Sequence, residues 1–95
     1  MGKAQSGGGE VMDYAVVYFS PADFSVALDV ANRHGGCAMF CRNGQVGVHA
    51  GALKAKTVYT VGGPALGVAG EVYLAGDAAI GTLVAVAEAY KAGRI

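Results

Sequence analysis

The chain has 95 residues, of which 54% are apolar and only 15% charged, and seven basic residues balance seven acidic ones. This length fits a single domain. A balanced charge without a basic stripe excludes a typical nucleic-acid-binding surface. No apolar run approaches the roughly 20 residues of a membrane span, so we expect a cytoplasmic protein.

The charged fraction lies well below the ~25% that is usual for globular domains. A small domain has a large surface to cover, and this one has few polar groups with which to cover it. We therefore predict that much of the exterior is buried in a homo-oligomer. The alternative is a general compositional bias toward small apolar residues.

The first twelve residues form a predicted leader. They contain a glycine triplet, Gly7–Gly9, and have no apolar core of the kind found in signal peptides. Glycine-rich segments behave as flexible linkers. We therefore divide the chain into a flexible leader, residues 1–12, and a single domain, residues 13–95.

The first predicted strand and helix occupy the N-terminal half of the domain. Tyr14–Phe19 is a run of β-branched and aromatic residues, which indicates a buried strand. Ser20 and Pro21 are typical of a helix start, and two glycines, Gly35 and Gly36, end the predicted helix. Apolar residues recur on one predicted face at helical spacing: Phe24, Ala27, Leu28 and Ala31.

The middle of the chain is the hardest part to assign. Cys37–Cys41 is predicted as a second strand, followed by a turn. Gln45–Ala55 has apolar residues at helical spacing, although Gly47 and Gly51 each cost about 1 kcal/mol inside a helix. These glycines are four residues apart and would give the helix a flat strip for close packing, so we predict a helix here.

The C-terminal half contains two further strands around a glycine-rich loop. Thr57–Val61 and Gly70–Ala75 are the predicted strands, and Asp77 is expected to cap a last helix, Ala78–Ala92. Its apolar stripe comprises Ile80, Leu83, Val84 and Ala87. The pattern predicts an α+β fold: a single layered α/β sandwich, ferredoxin-like, with about four strands and helices packed on one side of the sheet.

Cysteine and histidine residues cluster in sequence but do not form a typical metal site. Cys37 and Cys41 are four residues apart in a predicted strand, about 13 Å, which is too far for a disulfide. Zinc ligands usually lie on a tight knuckle, so we interpret both as reduced core cysteines. His34 and His49 flank them without an evident nucleophile or carboxylate partner.

No residue set in the sequence indicates catalysis. The glycine-rich run Gly62–Gly67 lacks the lysine of a phosphate-binding P-loop and leads into a strand rather than a helix. Paired carboxylates and a Ser/His/Asp set are also missing from the pattern. We therefore predict that the protein is not an enzyme and holds no cofactor or metal.

The stretch from Ala52 to Asp77 resembles one family, the shell proteins of bacterial microcompartments. The matching segments are Ala52–Ala55, Val58–Gly62 and Gly70–Leu74, followed by Gly76-Asp77 and an alanine-rich helix. An N-terminal half that begins with Tyr14–Phe19 is similar to the circularly permuted branch of the family. The resemblance covers about 80 residues.

The resemblance implies a structural role in the wall of a microcompartment, where hexameric tiles contact other shell proteins. Lys54 takes the place of the family's lysine at the edge of the hexamer. Leu66, Gly67 and Val68 map onto the loop that lines the central pore for small metabolites. Six copies of a loop crowd together at such an axis, which would account for its small residues.

Three functions of different classes remain open from the sequence. The leading one is a shell tile. The second is a small ferredoxin-like regulatory or metabolite-binding domain whose glycine-rich loop contacts the ligand. The third is a small enzyme that uses Cys37 or Cys41, which would require an exposed thiol of low pKa.

Overall fold

The computed structural model describes residues 12–46 and 50–95, apart from the side chains of Ala50 and Leu53. The predicted leader therefore lies almost wholly outside the described residues. The helices and strands are, in order, β1 (Met12–Tyr18), α1 (Phe24–Asn32), β2 (Ala38–Cys41), β3 (Ala55–Val61), β4 (Glu71–Leu74) and α2 (Ala78–Lys91). Short 3₁₀ segments, Pro21–Asp23 and Ala50–Lys54, precede α1 and β3.

The four strands form one parallel sheet with the order β2-β1-β3-β4. Helix α1 packs on one face of the sheet and connects β1 to β2, which pairs with one edge of β1. The chain then returns to the other edge of β1, where it adds β3 and then β4. The direction of winding therefore reverses between β1 and β3, as in doubly wound folds.

The two faces of the sheet are covered differently. On the helix face, Val16, Tyr59, Val61 and Leu74 pack against buried residues of both helices. On the opposite face, which we call the loop face, a smaller core is covered by the second 3₁₀ segment and by the loop of residues 62–70. Its buried residues are Ala15, Val17, Ala52, Ala55 and Val58.

The predicted layered α/β domain, with four strands and both helices on one side, is confirmed. The strand directions differ from those of a ferredoxin-like sheet, because all three pairings are parallel. The reason lies in residues 62–70. They do not form a tight hairpin, but carry the chain back along β3 so that Val58 pairs with Glu71 and Val61 with Leu74.

The predicted helix over Gln45–Ala55 is wrong where the structure describes it. Gln45 and Val46 lie outside any helix, Ala50–Lys54 is a 3₁₀ segment, and Ala55 already belongs to β3. The prediction gave more weight to the helical spacing of the apolar residues than to the free-energy cost of glycine in a helix. Gly47 and His49 lie outside the described residues.

The predicted apolar stripes of the helices only partly face the core. In α1, Ala27 and Ala31 are buried, but Phe24 and Leu28 are 43% and 39% exposed. In α2 the difference is larger. The predicted stripe points away from the sheet, and the buried residues are instead Thr82, Val86 and Ala89.

Candidate functional site

Residues 62–70, which we call the crossover loop, connect β3 to β4 without a helix. Parallel strands usually need a crossover of a dozen or more residues, most often helical. A helix satisfies its own backbone groups, whereas this loop takes partners from side chains around it. The Tyr73 hydroxyl donates a hydrogen bond to the carbonyl oxygen of Gly63, at 2.5 Å.

Arg42, which follows β2, fastens the start of the loop. Arg42 is 5% exposed, and its guanidinium donates hydrogen bonds to the carbonyl oxygens of Pro64 (2.8 Å), Gln45 (3.0 Å) and Val46 (2.6 Å). Burial lowers the pKa of Arg42, and the negative charge of Glu71 opposes that shift. A buried arginine with three carbonyl partners ties two turns together.

Glu71, the first residue of β4, fastens the middle of the loop. Its carboxylate accepts hydrogen bonds from the Thr60 hydroxyl (2.6 Å) and from the backbone N–H groups of Leu66 (2.8 Å) and Gly67 (3.0 Å). Burial opposes the charged form, but these three hydrogen bonds and the charge of Arg42 outweigh it and lower the pKa of Glu71. The loop is therefore held by an ionised carboxylate.

Contacts within the monomer require the glycines at the two ends of the crossover loop. Gly62 and Gly70 both have positive φ, of 81° and 77°, which L-residues with a side chain rarely adopt. A Cβ on Gly70 would overlap the carbonyl oxygen of Lys56, and one on Gly62 would overlap the carboxylate of Asp23. The close approach of other groups of the same chain therefore explains Gly62 and Gly70 without crowding at a symmetry axis.

The three predicted pore residues lie in the middle of this loop. Leu66 and Val68 are half-buried and pack against the core of the loop face. Gly67 is exposed with open space around it, at a φ of 73°. The structure thus gives Leu66 and Val68 a packing role in the monomer and leaves Gly67 at the surface.

The predicted edge residue, Lys54, ends the second 3₁₀ segment and is exposed immediately before β3. Lys54 therefore lies at the end of a 3₁₀ segment, not at the end of an α-helix. Lys54 and the predicted pore residues belong to the same covering layer of the loop face.

A crevice of about 310 Å³ lies at the carboxyl ends of β1, β3 and β4. In open parallel sheets this edge, at the point where winding reverses, is where ligands bind. Asp23 lines the crevice and is 7% exposed. Burial raises the pKa of its carboxyl group, while a hydrogen bond from the Ser20 backbone acts in the opposite direction.

The cysteines and the one described histidine do not assemble into a reactive site. Cys37, directly before β2, and Cys41, its last residue, are free, half-buried thiols. Burial raises the pKa of Cys37, which disfavours a thiolate nucleophile. His34 stacks on the rings of both Tyr14 (4.2 Å) and Tyr59 (4.9 Å), and these two rings also stack on each other at 6.2 Å.

The part of the chain that the structure describes contains neither a cluster of metal-binding side chains nor a membrane-spanning helix. Within residues 12–46 and 50–95, no group of three or more His, Cys, Asp or Glu side chains is placed to hold a metal ion. The helices of that same part of the chain are all too short or too polar to cross a bilayer.

The outer face of α2 carries several exposed apolar side chains. Ile80 is 74% exposed, Val84 52%, Leu83 50% and Tyr90 53%. Beside it, between α1 and α2, runs an apolar groove of about 480 Å³. Arg33 borders this groove, with its guanidinium 4.1 Å above the Tyr90 ring. Contiguous exposed patches of this kind mark interaction sites.

Sequence reasoning missed the side chains that hold the crossover loop, and it also missed Asp23. Asp23 lies in the predicted first turn of a helix, and Glu71 lies within the predicted strand Gly70–Ala75. A signal for Arg42 does exist, since a cation directly after a buried strand of a charge-poor chain needs partners. The partners themselves are backbone carbonyls, which no sequence pattern reveals.

Comparison with known proteins gave no match: no family model, no curated protein and no solved structure is significantly similar to this chain. The proposals that follow therefore depend on the geometry of the chain itself.

Proposed function

We propose that the protein is a self-assembling structural building block without catalytic activity, and that it associates with copies of itself through the outer face of α2. One observation carries the proposal: the predicted apolar stripe of α2 faces away from the core. A stripe of Ile80, Leu83 and Val84 on a helix of 14 residues is the kind of surface that a helix normally buries.

The energetics favour burial of this face. Fully burying one leucine, isoleucine or valine side chain is worth roughly 1.5–3 kcal/mol. Each of these three side chains is already partly covered, so burial of the rest is worth about 1 kcal/mol per residue and per protomer. The zero net charge of the chain adds no electrostatic barrier to association.

Light scattering after size-exclusion chromatography tests this proposal. The wild-type chain is expected to elute as a dimer or larger species at micromolar concentration. Val84→Glu should give a monomer with an unchanged circular dichroism spectrum, because position 84 lies outside the core. Leu28→Glu is the matched control, since Leu28 is a similarly exposed apolar residue on α1 and should leave the mass unchanged.

The microcompartment shell tile is the more specific form of the same proposal. In it, Lys54 lies at the edge of a hexamer, Gly67 lies near the central axis, and other shell proteins are neighbours in the wall. Lys54→Ala would then keep the oligomer but lose extended sheets in electron micrographs. Gly67→Trp would block assembly or passage through the pore while leaving the fold intact. Equal sheet formation by Lys54→Ala would refute the edge role.

The second candidate is a small-ligand-binding domain, which is favoured by the crevice at the carboxyl ends of the strands. In this proposal Asp23 contacts the ligand from the floor of the crevice. Thermal unfolding with a panel of nucleotides, amino acids and sugar phosphates tests it. A rise in Tm that disappears in Asp23→Asn would support a ligand site, and no rise with any compound would count against it.

A further inference from the structure

The crevice at the carboxyl ends of the strands contains a buried carboxylate. Among the described residues that line it, Asp23 is the only charged one, and it is 7% exposed. A Cβ on Gly62 would overlap this carboxylate, so the carboxylate lies directly against the backbone at the end of β3. Because the winding of the sheet reverses between β1 and β3, Asp23 lies where open parallel sheets bind their ligands.

The chain compensates the charge of Asp23 incompletely. In the part of the chain that the structure describes, one ion pair lies at the end of α1 and the other joins β1 to β3, so neither involves Asp23. Its side chain precedes α1 but makes no capping hydrogen bond to that helix. Burial raises the pKa of Asp23 more than the hydrogen bond from the Ser20 backbone lowers it. Buried charges in proteins are normally paired, so a cation from outside the chain would complete this group.

Arg42 does not supply the missing cation. Its guanidinium carbon lies 5.2 Å from the ring centroid of Phe19, which lines the crevice. All three guanidinium nitrogens, however, donate hydrogen bonds to backbone carbonyl oxygens. The positive charge of Arg42 is therefore used to hold the crossover loop.

The lining beside Asp23 limits the size of the ligand and requires part of it to be apolar. It combines the side chains of Phe19, Ala22 and Ala79 with the backbone of three glycines. A Cβ on Gly63 would overlap the Phe19 ring, so this ring packs directly on the backbone. The volume of about 310 Å³ lies at the low end of the range of roughly 300–1,000 Å³ that is usual for ligand pockets.

The start of α2 borders the crevice but does not exclude a cation. The first turn of a helix favours anions, and Ala79 lies in that turn. The exposed Asp77 precedes the turn as its N-cap residue, and its negative charge opposes the positive end of the helix. A charge-assisted hydrogen bond to Asp23 is also stronger than an interaction with a helix dipole. The charges around the crevice therefore favour an ammonium group.

We propose that the crevice binds a small primary amine, with its ammonium group on the carboxylate of Asp23 and its apolar body against Phe19, Ala22 and Ala79. This inference rests on the second proposed function, the small-ligand-binding domain, and adds the class of the ligand. An ammonium group is a compact point charge with three donors, which suits a single carboxylate bordered by glycine backbone. Two sources carry this group: a free amino acid, and the amine that remains when an amino acid loses its carboxylate.

An NMR titration of the full chain with isobutylammonium at pH 7 tests the proposal. The backbone amide signals of Gly62, Gly63 and Ala79 should shift, because these residues line the crevice. Isobutanol is the matched control ligand, since it has a similar shape without the charge. It should bind at least about tenfold more weakly.

Three variants tie the binding to Asp23. Asp23→Asn keeps the shape of the side chain and should raise the Kd for isobutylammonium at least about tenfold. Asp13→Asn changes an exposed aspartate in β1 and should leave the Kd unchanged. Ala79→Leu keeps the carboxylate but fills the crevice from the exposed start of α2, so it should also abolish binding.

L-Valine distinguishes the two sources of the ammonium group. Binding as tight as that of isobutylammonium supports a free amino acid as the ligand. Binding that is at least about tenfold weaker supports an amine without a carboxylate.

The outcomes also separate this inference from the function on which it rests. No shift of the crevice signals with isobutylammonium, or equal binding of isobutanol, would overturn the ammonium site. Equal binding of isobutylammonium by wild type and Asp23→Asn would overturn it as well. The ligand-binding function would then stand only if another class of compound raised the Tm of wild type and not that of Asp23→Asn. No rise with any compound would contradict both.

Discussion

The two faces of the sheet are covered in different ways. On the loop face, a crossover without a helix leaves backbone groups in need of partners, and Arg42, Glu71 and Tyr73 supply them from within the chain. On the helix face, the backbone satisfies itself, but α2 leaves Ile80 and Val84 exposed. The comparison teaches that the loop face takes its partners from within one chain, whereas the helix face leaves apolar side chains exposed, which in our proposal a second copy covers.

If the loop face is closed within the chain, its tightest contact should tolerate no added atom. We expect Gly70→Ala to destabilise the domain by about 3–4 kcal/mol, because the positive φ is unfavourable and the new Cβ overlaps the Lys56 carbonyl. Gly67→Ala is the control with the same sign of φ but open space, and it should cost only about 1 kcal/mol. Urea unfolding measures both, and equal losses would contradict the close approach.

The next effect concerns the buried arginine of the loop face. Arg42→Met should cost about 2–3 kcal/mol, because three carbonyl oxygens lose a charged donor. Arg33→Met removes an exposed arginine from the helix face and should cost less than about 1 kcal/mol. Thermal unfolding would contradict the assignment if the two variants lost the same stability.

Acidification should weaken the loop face through Glu71. Its folded pKa is lowered, so its stabilising effect is fully present above the unfolded value of about 4.3 and is lost as the pH falls through the folded pKa. Asp23 acts with the opposite sign: its folded pKa is raised, so acidification through that pKa relieves an unfavourable charge.

Denaturant titrations between pH 7 and pH 3 separate these two groups. Compared with wild type, Glu71→Gln should lose stability at pH 7 and show a shallower fall toward pH 3. Asp23→Asn should show a steeper fall. Parallel curves for wild type and Glu71→Gln would mean that the carboxylate is not what holds the crossover loop.

The smallest effect is expected at the surface ion pair of α1. Asp29 lies 3.5 Å from Arg33, and both side chains are largely exposed to solvent. Asp29→Ala should change the free energy of unfolding by less than about 0.5 kcal/mol and should leave the oligomeric mass unchanged. A large loss of stability or a change in mass would show that this part of the helix layer contributes more than we infer.

The sequence predicted elements better than it predicted their arrangement. Strands rich in valine and tyrosine were recognised because β-branched and aromatic runs are local signals. The parallel pairing of β3 and β4 was missed, because residues 62–70 look like an extended hairpin until their hydrogen bonds to Glu71 and Arg42 are known. The contact of Arg42 with Pro64 joins residues 22 positions apart in the chain.

The apolar stripe of α2 shows a second limit of prediction from sequence. Helical spacing identified Ile80, Leu83 and Val84 as a face that needs burial, but spacing alone cannot say what buries it. The core instead takes Thr82, Val86 and Ala89. The low charge of the whole chain predicts association. The orientation of α2 indicates which surface would take part in it.

Sedimentation velocity of the unmodified chain over a hundredfold range of concentration tests the central claim most directly. The account predicts a sedimentation coefficient that rises with concentration toward that of a dimer or a larger assembly, together with a shift back to the monomer value in Val84→Glu. A single monomeric species at every concentration up to the millimolar range would contradict it.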